Sequence, residues 1–288
     1  MPIVLPTQRE INHWLQSQRH GVIETATPVS GGSICDNYHL RTTSGDGFFV
    51  KTNRGGPADL FRCEASGLAA LAQYTSLRTP RIYHVDEKWL LLEYIAPGAP
   101  GDTFWQQLAE GLAQLHGAAQ QQFGFSTDNY CGTTSQPNPA CENGHTFFGE
   151  QRLLYQGKLA ARAGLLPRAD LAQLEQLIAR LPALIPQQPP ALIHGDLWSG
   201  NIHCDDSGRP VLIDPAAHCS WREADIAMTR LFGALPSAFY RHYKQLLPMA
   251  PGWEQRMGLY NLYHLLNHLN LFGGCYLSQV RAVMQRYL

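Results

Sequence analysis

Residues 193–215 carry three polar side chains whose types and spacing could support chemistry. Asp196 comes five residues before Asn201, and Asp214 follows Asn201 by thirteen. An amide oxygen and a carboxylate that converge on one point suit a hard cation such as Mg²⁺, and a second carboxylate beside them could deprotonate a hydroxyl group. This combination is typical of the catalytic end of an ATP-dependent kinase.

A β-hairpin is predicted to bring these side chains together. Ile202 begins a short strand, residues 205–208 have the composition of a turn, and residues 211–213 are an apolar run typical of a buried strand. Because a hairpin folds back on itself, Asn201 and Asp214 are expected to meet at one end of it.

A second set of candidate residues lies nearer the N-terminus. Residues 48–51 form a short apolar strand that ends in Lys51, a group that is costly to bury unless it is paired. Glu64 lies within residues 57–74, whose apolar stripe predicts a helix. A lysine on a strand that faces a glutamate on the following helix is the ion pair that directs a kinase lysine toward the phosphates of ATP. The alternative interpretation is that Lys51 is a solvated residue at the end of a strand and Glu64 lies on the surface.

A glycine-rich turn is predicted at residues 30–33, between two strands. Gly31 and Gly32 would let backbone N–H groups come close enough to cover phosphates. The segment matches neither of the common glycine-rich nucleotide motifs, so a plain hairpin turn is the alternative interpretation. Its assignment to nucleotide binding therefore depends on the rest of the site.

The character of the chain changes near residue 95. Five predicted strands and one main helix precede this point, and a Pro- and Gly-rich linker follows at residues 96–101. Beyond the linker, apolar residues recur mostly at helical spacing. The predicted fold class is α+β, with two lobes. An N-terminal nucleotide-binding lobe, residues 1–95, holds an antiparallel five-stranded sheet, and a mostly helical catalytic and substrate lobe spans residues 96–288.

Two connecting segments are predicted to border the site. The backbone of Glu93, Tyr94 and Ile95 would form the hinge between the lobes and could hydrogen-bond the edge of an adenine ring. Residues 123–144 are polar and rich in Gly, Pro and Asn, which predicts a long loop. Because long loops in compact domains are often functional, we expect this one to line a substrate site.

The overall composition excludes several classes of partner. Apolar residues make up 44% of the chain, enough for a sizeable core. The formal net charge is −1, so the chain lacks the concentrated positive charge that nucleic acid binding requires. No apolar run is long enough to cross a bilayer, and there is no signal-peptide pattern. Seven cysteines without a Cys-x-x-Cys pair indicate free thiols in a reducing cytoplasm.

Other candidate residues have ordinary structural explanations. His264 and His268 stand four apart on one predicted helix, a spacing that metal ligands use, but core or hydrogen-bonded histidines are the interpretation we favour. Cys35 and Cys204 are predicted to be inert thiols. Asp225 opens a later helix, and it could hydrogen-bond the backbone of the catalytic loop or cap that helix.

Several motifs together resemble the fructosamine/ketosamine-3-kinase family. They are His-Gly-Asp-Leu-Trp-Ser-Gly-Asn at residues 194–201, Ile-Asp-Pro-Ala at 213–216 and Arg-Glu-Ala-Asp-Ile-Ala-Met at 222–228. That family belongs to the protein-kinase-like fold and is related to the aminoglycoside phosphotransferases. Many small-molecule kinases share His-Gly-Asp with a downstream Asp, whereas the Leu-Trp-Ser-Gly-Asn continuation is much narrower.

The resemblance implies a role for each matching residue. Asp196 would orient and deprotonate the substrate hydroxyl, while Asn201 and Asp214 would hold Mg²⁺. Lys51 would bind the phosphates of ATP, and Trp198 would lie near the sugar. The reaction would transfer the γ-phosphoryl group to O3 of a ketosamine, a sugar joined to an amine by glycation. The 3-phosphate would make the adduct labile, so the cellular role would be deglycation, and we expect a monomer.

Two other functions stay open at this point. One is a kinase of another small hydroxyl compound, such as an aminoglycoside, choline or homoserine. Acidic clustering would favour a polycationic aminoglycoside, but residues 123–144 offer only Asp128 and Glu142. The other is a pseudokinase that binds nucleotide without chemistry, and the intact set of catalytic residue types argues against it.

Overall fold

A computed structural model describes residue 5 and residues 7–29 and 35–288. The predicted turn with Gly31 and Gly32 lies outside the described residues. The helices are α1 (Gln8–Ser17), α2 (Leu60–Tyr74), α3 (Phe104–Gly117), α4 (Gly144–Thr146), α5 (Tyr155–Arg162), α6 (Arg168–Leu184), α7 (Glu223–Met228), α8 (Ser237–Leu246), α9 (Trp253–Phe272) and α10 (Leu277–Tyr287). The strands are β1 (Ile23–Pro28), β2 (Asp36–Thr42), β3 (Gly47–Thr52), β4 (Ile82–Val85), β5 (Trp89–Glu93), β6 (Asn129–Cys131), β7 (Thr134–Gln136), β8 (Ala191–Ile193), β9 (Ile202–Cys204), β10 (Pro210–Leu212) and β11 (His218–Ser220).

The first five strands form one antiparallel sheet in the order β1-β2-β3-β5-β4. Side chains alternate between the two faces of a strand, and β5 is buried on both. Leu91 packs in a cluster with Leu15 of α1, whereas Leu90 packs in a second cluster with Phe61 of α2. The predicted five-stranded sheet with its main helix α2 is confirmed, and α1 covers the opposite face.

The C-terminal part of the chain is mostly helical, as predicted. Its central helix, α9, runs for 20 residues and is buried on most sides, which is typical of a helix in the middle of a core. A π-helical segment, Phe147–Leu154, joins α4 to α5. Among the described residues, no helix combines the length and apolar character that a membrane span requires.

The composition of residues 123–144 predicts one long loop, but the segment contains secondary structure. It contains β6 and β7, which pair as a short antiparallel hairpin. Asn129 Oδ1 accepts hydrogen bonds from Gln136 Nε2 at 2.7 Å and from Asn138 Nδ2 at 2.8 Å, and all three side chains are buried. Because these amides satisfy one another, a polar sequence builds a buried hairpin here.

The linker at residues 96–101 is tied to the β9–β10 hairpin. Backbone N–H groups at two points of the linker donate to hairpin carbonyls: Gly98 N to Cys204 O at 3.0 Å and Gly101 N to Gly208 O at 3.1 Å. A Cβ atom on Gly98 would lie 2.2 Å from the Asp205 carbonyl oxygen, so this close approach requires glycine. The predicted catalytic hairpin therefore also anchors the chain where it leaves the sheet.

Candidate active site

A cleft of about 860 Å³ contains every described residue that the sequence assigned to the site. Its lining includes Lys51, Glu64, Glu93, Tyr94, Ile95, Asp196, Trp198, Asn201 and Asp214. Lys51, Glu64 and Glu93 lie on β3, α2 and β5, and Tyr94 and Ile95 directly follow β5. The segment around β9 and β10 supplies the others. The fold thus gathers residues separated by more than a hundred positions into one cavity.

Lys51 at the end of β3 is buried against two carboxylates. Its Nζ donates to Glu64 Oε1 at 2.7 Å and to Asp214 Oδ1 at 2.5 Å. Burial opposes the charged form of Lys51, but the two carboxylates outweigh it and raise the pKa of the lysine. Burial also raises the pKa of Glu64, against the opposing effect of Lys51. The predicted Lys51–Glu64 ion pair is present, and Asp214 joins it.

Asp214 has an unusual backbone conformation. Its φ of 53° is in the left-handed region, which among the described non-glycine residues only Arg19 shares. Pro215 follows it, and a proline normally holds the preceding residue in extended conformations. Strain of this kind persists where the surroundings enforce it, and it is common at functional sites. Here the conformation accompanies the contact between the Asp214 carboxylate and Lys51.

Asp196 and Asn201 form a second pair in the cleft. Asn201 Nδ2 donates to the Asp196 carbonyl at 2.9 Å and to Asp196 Oδ2 at 3.1 Å. Burial, with a smaller contribution from the Asp214 charge, raises the pKa of Asp196 to about 7, and the Asn201 hydrogen bond opposes the rise. A carboxyl group with a pKa near neutrality can both accept and release a proton under physiological conditions.

Asp225 of α7 holds the backbone just before Asp196 by hydrogen bonds. Asp225 Oδ2 accepts from His194 N at 2.7 Å, and Oδ1 accepts from Gly195 N at 2.9 Å. His116 Nε2 also approaches Asp225 Oδ2, at 3.2 Å. Of the two roles that the sequence left open for Asp225, the structure shows the contact with the catalytic loop and no side-chain cap of α7.

Side chains from distant parts of the chain hold the predicted hinge. His203 Nε2 lies 3.1 Å from the Ile95 carbonyl oxygen. Arg78 donates to Glu93 Oε1 at 2.5 Å and to Asp205 Oδ2 at 3.1 Å, and so connects the hinge to the β9–β10 turn. Sequence reasoning missed both Arg78 and His203. Neither has a local signal, because the partners lie between 15 and 127 residues away.

One side of the cleft is an aromatic wall, which consists of Trp198, Phe232, His268 and Phe272. The Trp198 ring meets the edge of Phe232 at 6.1 Å between centroids, and Phe232 stacks on His268 at 5.1 Å. Trp198, Phe232 and Phe272 remain 37%, 43% and 48% exposed although they line the cavity. Of these residues, the sequence pointed only to Trp198 as a substrate contact, and His268 lines the cleft instead of lying in the core.

The donor atoms near Asn201 fit a magnesium ion. Ile213 N donates to the Asn201 carbonyl at 3.1 Å, which keeps Asn201 beside the end of β10 that leads into Asp214. The Asn201 Nδ2 group is used by Asp196, and no hydrogen bond to Asn201 Oδ1 is present among the described residues. An amide oxygen and the Asp214 carboxylate are hard ligands of the kind that Mg²⁺ prefers.

Comparisons with known proteins agree with this geometry. A sequence model described as fructosamine kinase matches residues 7–288. A probable ketoamine kinase from Synechocystis is 43% identical over 92% of this chain and 91% of its own length. The chloroplastic protein-ribulosamine 3-kinase of Arabidopsis thaliana is 37% identical over 96% of this chain and 87% of its own length.

Solved structures support the same assignment. The crystal structure of a protein assigned as fructosamine-3-kinase from Thermobifida fusca superposes with a TM-score of 0.87 at 31% identity, over 96% of this chain and 98% of that one. Choline kinase LicA from Streptococcus pneumoniae, at 16% identity and a TM-score of 0.66 over 98% of both chains, shares the fold alone. The two-lobed protein-kinase-like fold is therefore confirmed, and the chain belongs to the fructosamine kinase family.

Proposed function

We propose that the protein is an ATP-dependent ketosamine 3-kinase, which transfers the γ-phosphoryl group of ATP to O3 of fructosamine- or ribulosamine-type glycation adducts. The names of its relatives, ketoamine kinase and protein-ribulosamine 3-kinase, support this substrate class. The observation that carries the proposal is the Asp196 carboxylate, which shares one cleft with the Lys51–Asp214 pair and with Trp198.

Asp196 is the proposed catalytic base. It would accept a hydrogen bond from the O3 hydroxyl and take its proton as the bond from O3 to the γ-phosphorus forms and the bond from that phosphorus to the bridging oxygen of ADP breaks. The pKa of about 7 suits a group that must take up the proton and release it later. Asn201 holds one carboxylate oxygen, so the base is oriented before substrate arrives.

The nucleotide would lie across both lobes. Lys51, held by Glu64, would bind the phosphates, and the hinge backbone of Glu93, Tyr94 and Ile95 would contact the adenine. Asn201 and Asp214 would bind Mg²⁺, which neutralises charge on the phosphates. We therefore assign residues 1–95 to a nucleotide-binding lobe and residues 96–288 to a catalytic and substrate lobe, with Gly31 and Gly32 still predicted to cover the phosphates.

In the cell, we propose deglycation by a cytoplasmic monomer. A phosphate at O3 becomes a leaving group that makes the sugar–amine adduct labile, so phosphorylation would lead to release of the free amine. All seven cysteines are free thiols in the structure, which fits a reducing compartment. Trp198 and the rest of the aromatic wall would face the sugar and its amine.

A substrate-panel assay tests the proposal directly. ADP release would be measured with MgATP and fructosamines, ribulosamines, choline, homoserine and an aminoglycoside as acceptors, and ³¹P NMR would locate the phosphate on the product. We expect turnover with a ketosamine and phosphate at O3. Turnover only with one of the other acceptors, or ATP binding without transfer to any acceptor, would overturn the proposal.

The Asp196→Asn variant is the matched control for the base. It keeps the size and a hydrogen-bonding oxygen but cannot accept a proton, so we expect turnover to fall by about 10²–10⁴-fold with ATP affinity little changed. Turnover close to that of the parent protein would contradict the role of Asp196.

A further inference from the structure

Two side chains with no part in the proposed phosphoryl transfer approach the Asp196 carboxylate. Cys131 stands at the end of β6, and His264 lies on α9. The Cys131 Sγ, an Asp196 carboxylate oxygen and a His264 ring nitrogen all lie within 4.8 Å of one another. Three separate elements of the helical lobe therefore bring a thiol, a carboxylate and an imidazole to a single point.

The His264 side chain has a ring nitrogen with no hydrogen-bond partner among the described residues. Its side chain is only 5% exposed, and its Nδ1 has no hydrogen-bond partner in the described structure. The nearest acidic atom is Asp196 Oδ1, at 4.0 Å, which is beyond hydrogen-bonding distance. Burial lowers the pKa of His264 to about 3, so the ring is neutral and can offer a nitrogen lone pair. A buried ring nitrogen left unsatisfied costs free energy unless something binds it.

The surrounding contacts hold the three groups in place. Asn267 Nδ2 donates to the Cys131 carbonyl at 3.1 Å and fixes the end of β6 to α9. Asn201 holds Asp196 Oδ2, so Oδ1 is the carboxylate oxygen that approaches His264. In a tetrahedral zinc site, metal–ligand bonds of about 2.0–2.3 Å place ligand atoms about 3.3–3.6 Å apart. Small side-chain rotations would close the cluster to that size.

We propose that Cys131, Asp196 and His264 form a zinc-binding site, distinct from the magnesium ligands, and that its occupation inhibits the enzyme. A thiolate, an imidazole and a carboxylate are the donors that Zn²⁺ selects, whereas Mg²⁺ requires oxygen ligands. Binding replaces the proton of the Cys131 thiol with the metal and releases that proton to solvent. Cys131 and Asp196 both line the cleft, so a fourth ligand such as water could reach the metal from that side.

The inhibitory consequence rests on the proposed function. A zinc ion that uses the Asp196 carboxylate removes the base from the O3 hydroxyl, and it occupies the place where that hydroxyl must come. Inhibition should therefore compete with the ketosamine and leave the apparent affinity for ATP unchanged. The binding site itself does not depend on the identity of the substrate.

Direct metal binding is the first test. The purified protein would be titrated with Co²⁺, a spectroscopic substitute for zinc, and Zn²⁺ would then be used to displace it. We expect one ion per chain, with a thiolate-to-cobalt charge-transfer band that disappears in Cys131→Ser. The matched control, Cys219→Ser, removes another buried thiol whose Sγ contacts Gln120 and should keep the band. Absence of the band in the parent protein, or its persistence in Cys131→Ser, would overturn the site.

Inhibition is the second test. Turnover would be measured at saturating MgATP with the free Zn²⁺ concentration held by a chelator buffer. We expect Cys131→Ser to keep the turnover measured without zinc but to need about tenfold or more zinc for half inhibition, and His264→Asn to weaken cobalt binding similarly. Equal zinc sensitivity in the parent protein and Cys131→Ser would refute the regulatory claim. If no acceptor supports turnover, the proposed function fails, but the cobalt titration still decides the site.

Discussion

Two buried cations in this molecule are stabilised in opposite ways. Lys51 in the N-terminal sheet has two carboxylates within 2.7 Å, and they raise its pKa. Arg152 in the π-helical segment is 1% exposed and has no carboxylate within ion-pair distance among the described residues. Its guanidinium donates to Asn138 Oδ1 at 2.5 Å and to the Pro137 carbonyl at 2.7 Å. Burial lowers the pKa of Arg152 to about 10.

Under the proposed function, this difference separates a charge that binds a ligand from a charge that only holds the fold together. The carboxylates around Lys51 border the cleft. In the proposed function, Asp214 would bind the metal ion and the phosphates would take its place beside the lysine. The partners of Arg152 are the Asn138 amide oxygen, the Pro137 and Gln151 carbonyls, the His218 ring nitrogen and the face of Phe147, at 4.5 Å from the guanidinium carbon. None of these can be exchanged for a ligand, so Arg152 fixes the β6–β7 hairpin against the helices.

Removal of the exchangeable charge should have the largest effect on catalysis. We expect Lys51→Met to lower kcat/KM for ATP by about 10²–10³-fold, because the phosphates lose their main electrostatic partner. Steady-state kinetics and urea unfolding would be measured on the same samples. Lys88→Met, which removes an exposed lysine, is the control. If Lys51→Met instead preserved kcat/KM and lowered the free energy of unfolding more than Arg152→Met does, Lys51 would be the structural charge of the two.

Removal of the structural charge should act mainly on stability. We expect Arg152→Met to lower the free energy of unfolding by about 2–4 kcal/mol, because it leaves the Asn138 and Pro137 oxygens buried without a donor. Turnover per folded molecule should change by less than tenfold. Urea unfolding followed by circular dichroism provides the measurement, and Arg162→Met on the exposed end of α5 provides the control. Unchanged stability would show that Arg152 is not structural.

His264 is a third case, a buried base kept neutral. Its pKa is about 3 in the folded protein and 6.5 when unperturbed, so below pH 6.5 the unfolded state binds a proton that the folded state does not. The free energy of unfolding is therefore highest above pH 6.5 and decreases as the pH falls toward 3. Between pH 7 and pH 5 this histidine alone should cost about 2 kcal/mol of unfolding free energy. Chemical unfolding at both pH values should show a smaller acid-induced loss in His264→Asn than in the exposed-site control His13→Asn. Equal losses would contradict the burial argument.

Glu64 should show the smallest effect, because Lys51 keeps its second partner. We expect Glu64→Gln to lower kcat/KM for ATP by about tenfold. In a double-mutant cycle, Glu64→Gln should add little to the loss already caused by Lys51→Met, since the glutamate acts only through the lysine. Additive losses in that cycle would mean that Glu64 contributes to the site independently of Lys51.

The parts of the site that the sequence predicted depend on short-range patterns. The Lys51–Glu64 pair follows from a strand and the next helix, and the meeting of Asn201 and Asp214 follows from one hairpin. The spacing of residues within each element determines both. The antiparallel pairing of β2 with β3 and of β4 with β5 likewise follows from the short turns that join them, whereas the position of β5 beside β3 does not.

The parts that could not be predicted depend on partners far apart in the chain. The partners of Arg152 could not be predicted, because Pro137 and Asn138 directly follow a hairpin whose polar composition resembles a loop. Asp225 was ambiguous, since an acidic residue at the start of a helix has the same appearance whether it binds the helix or a distant loop. Phe232 joins the aromatic wall only because α7 ends early and places it beside α9.

The hydrogen bonds that tie the linker to the β9–β10 hairpin join the two segments into one support for the site. Only Ala99 and Pro100 are free between the two anchored glycines, so the linker cannot lengthen. Pro97 also pairs with Asp205, and His203 Nε2 lies 3.1 Å from the Ile95 carbonyl oxygen, so the chain is held to the hairpin from Ile95 onward. Asn201 directly precedes β9 and Asp214 follows β10 by two residues, so the same hairpin also positions these two side chains. A substitution that shifts the hairpin should therefore displace Asn201 and Asp214 together with the linker.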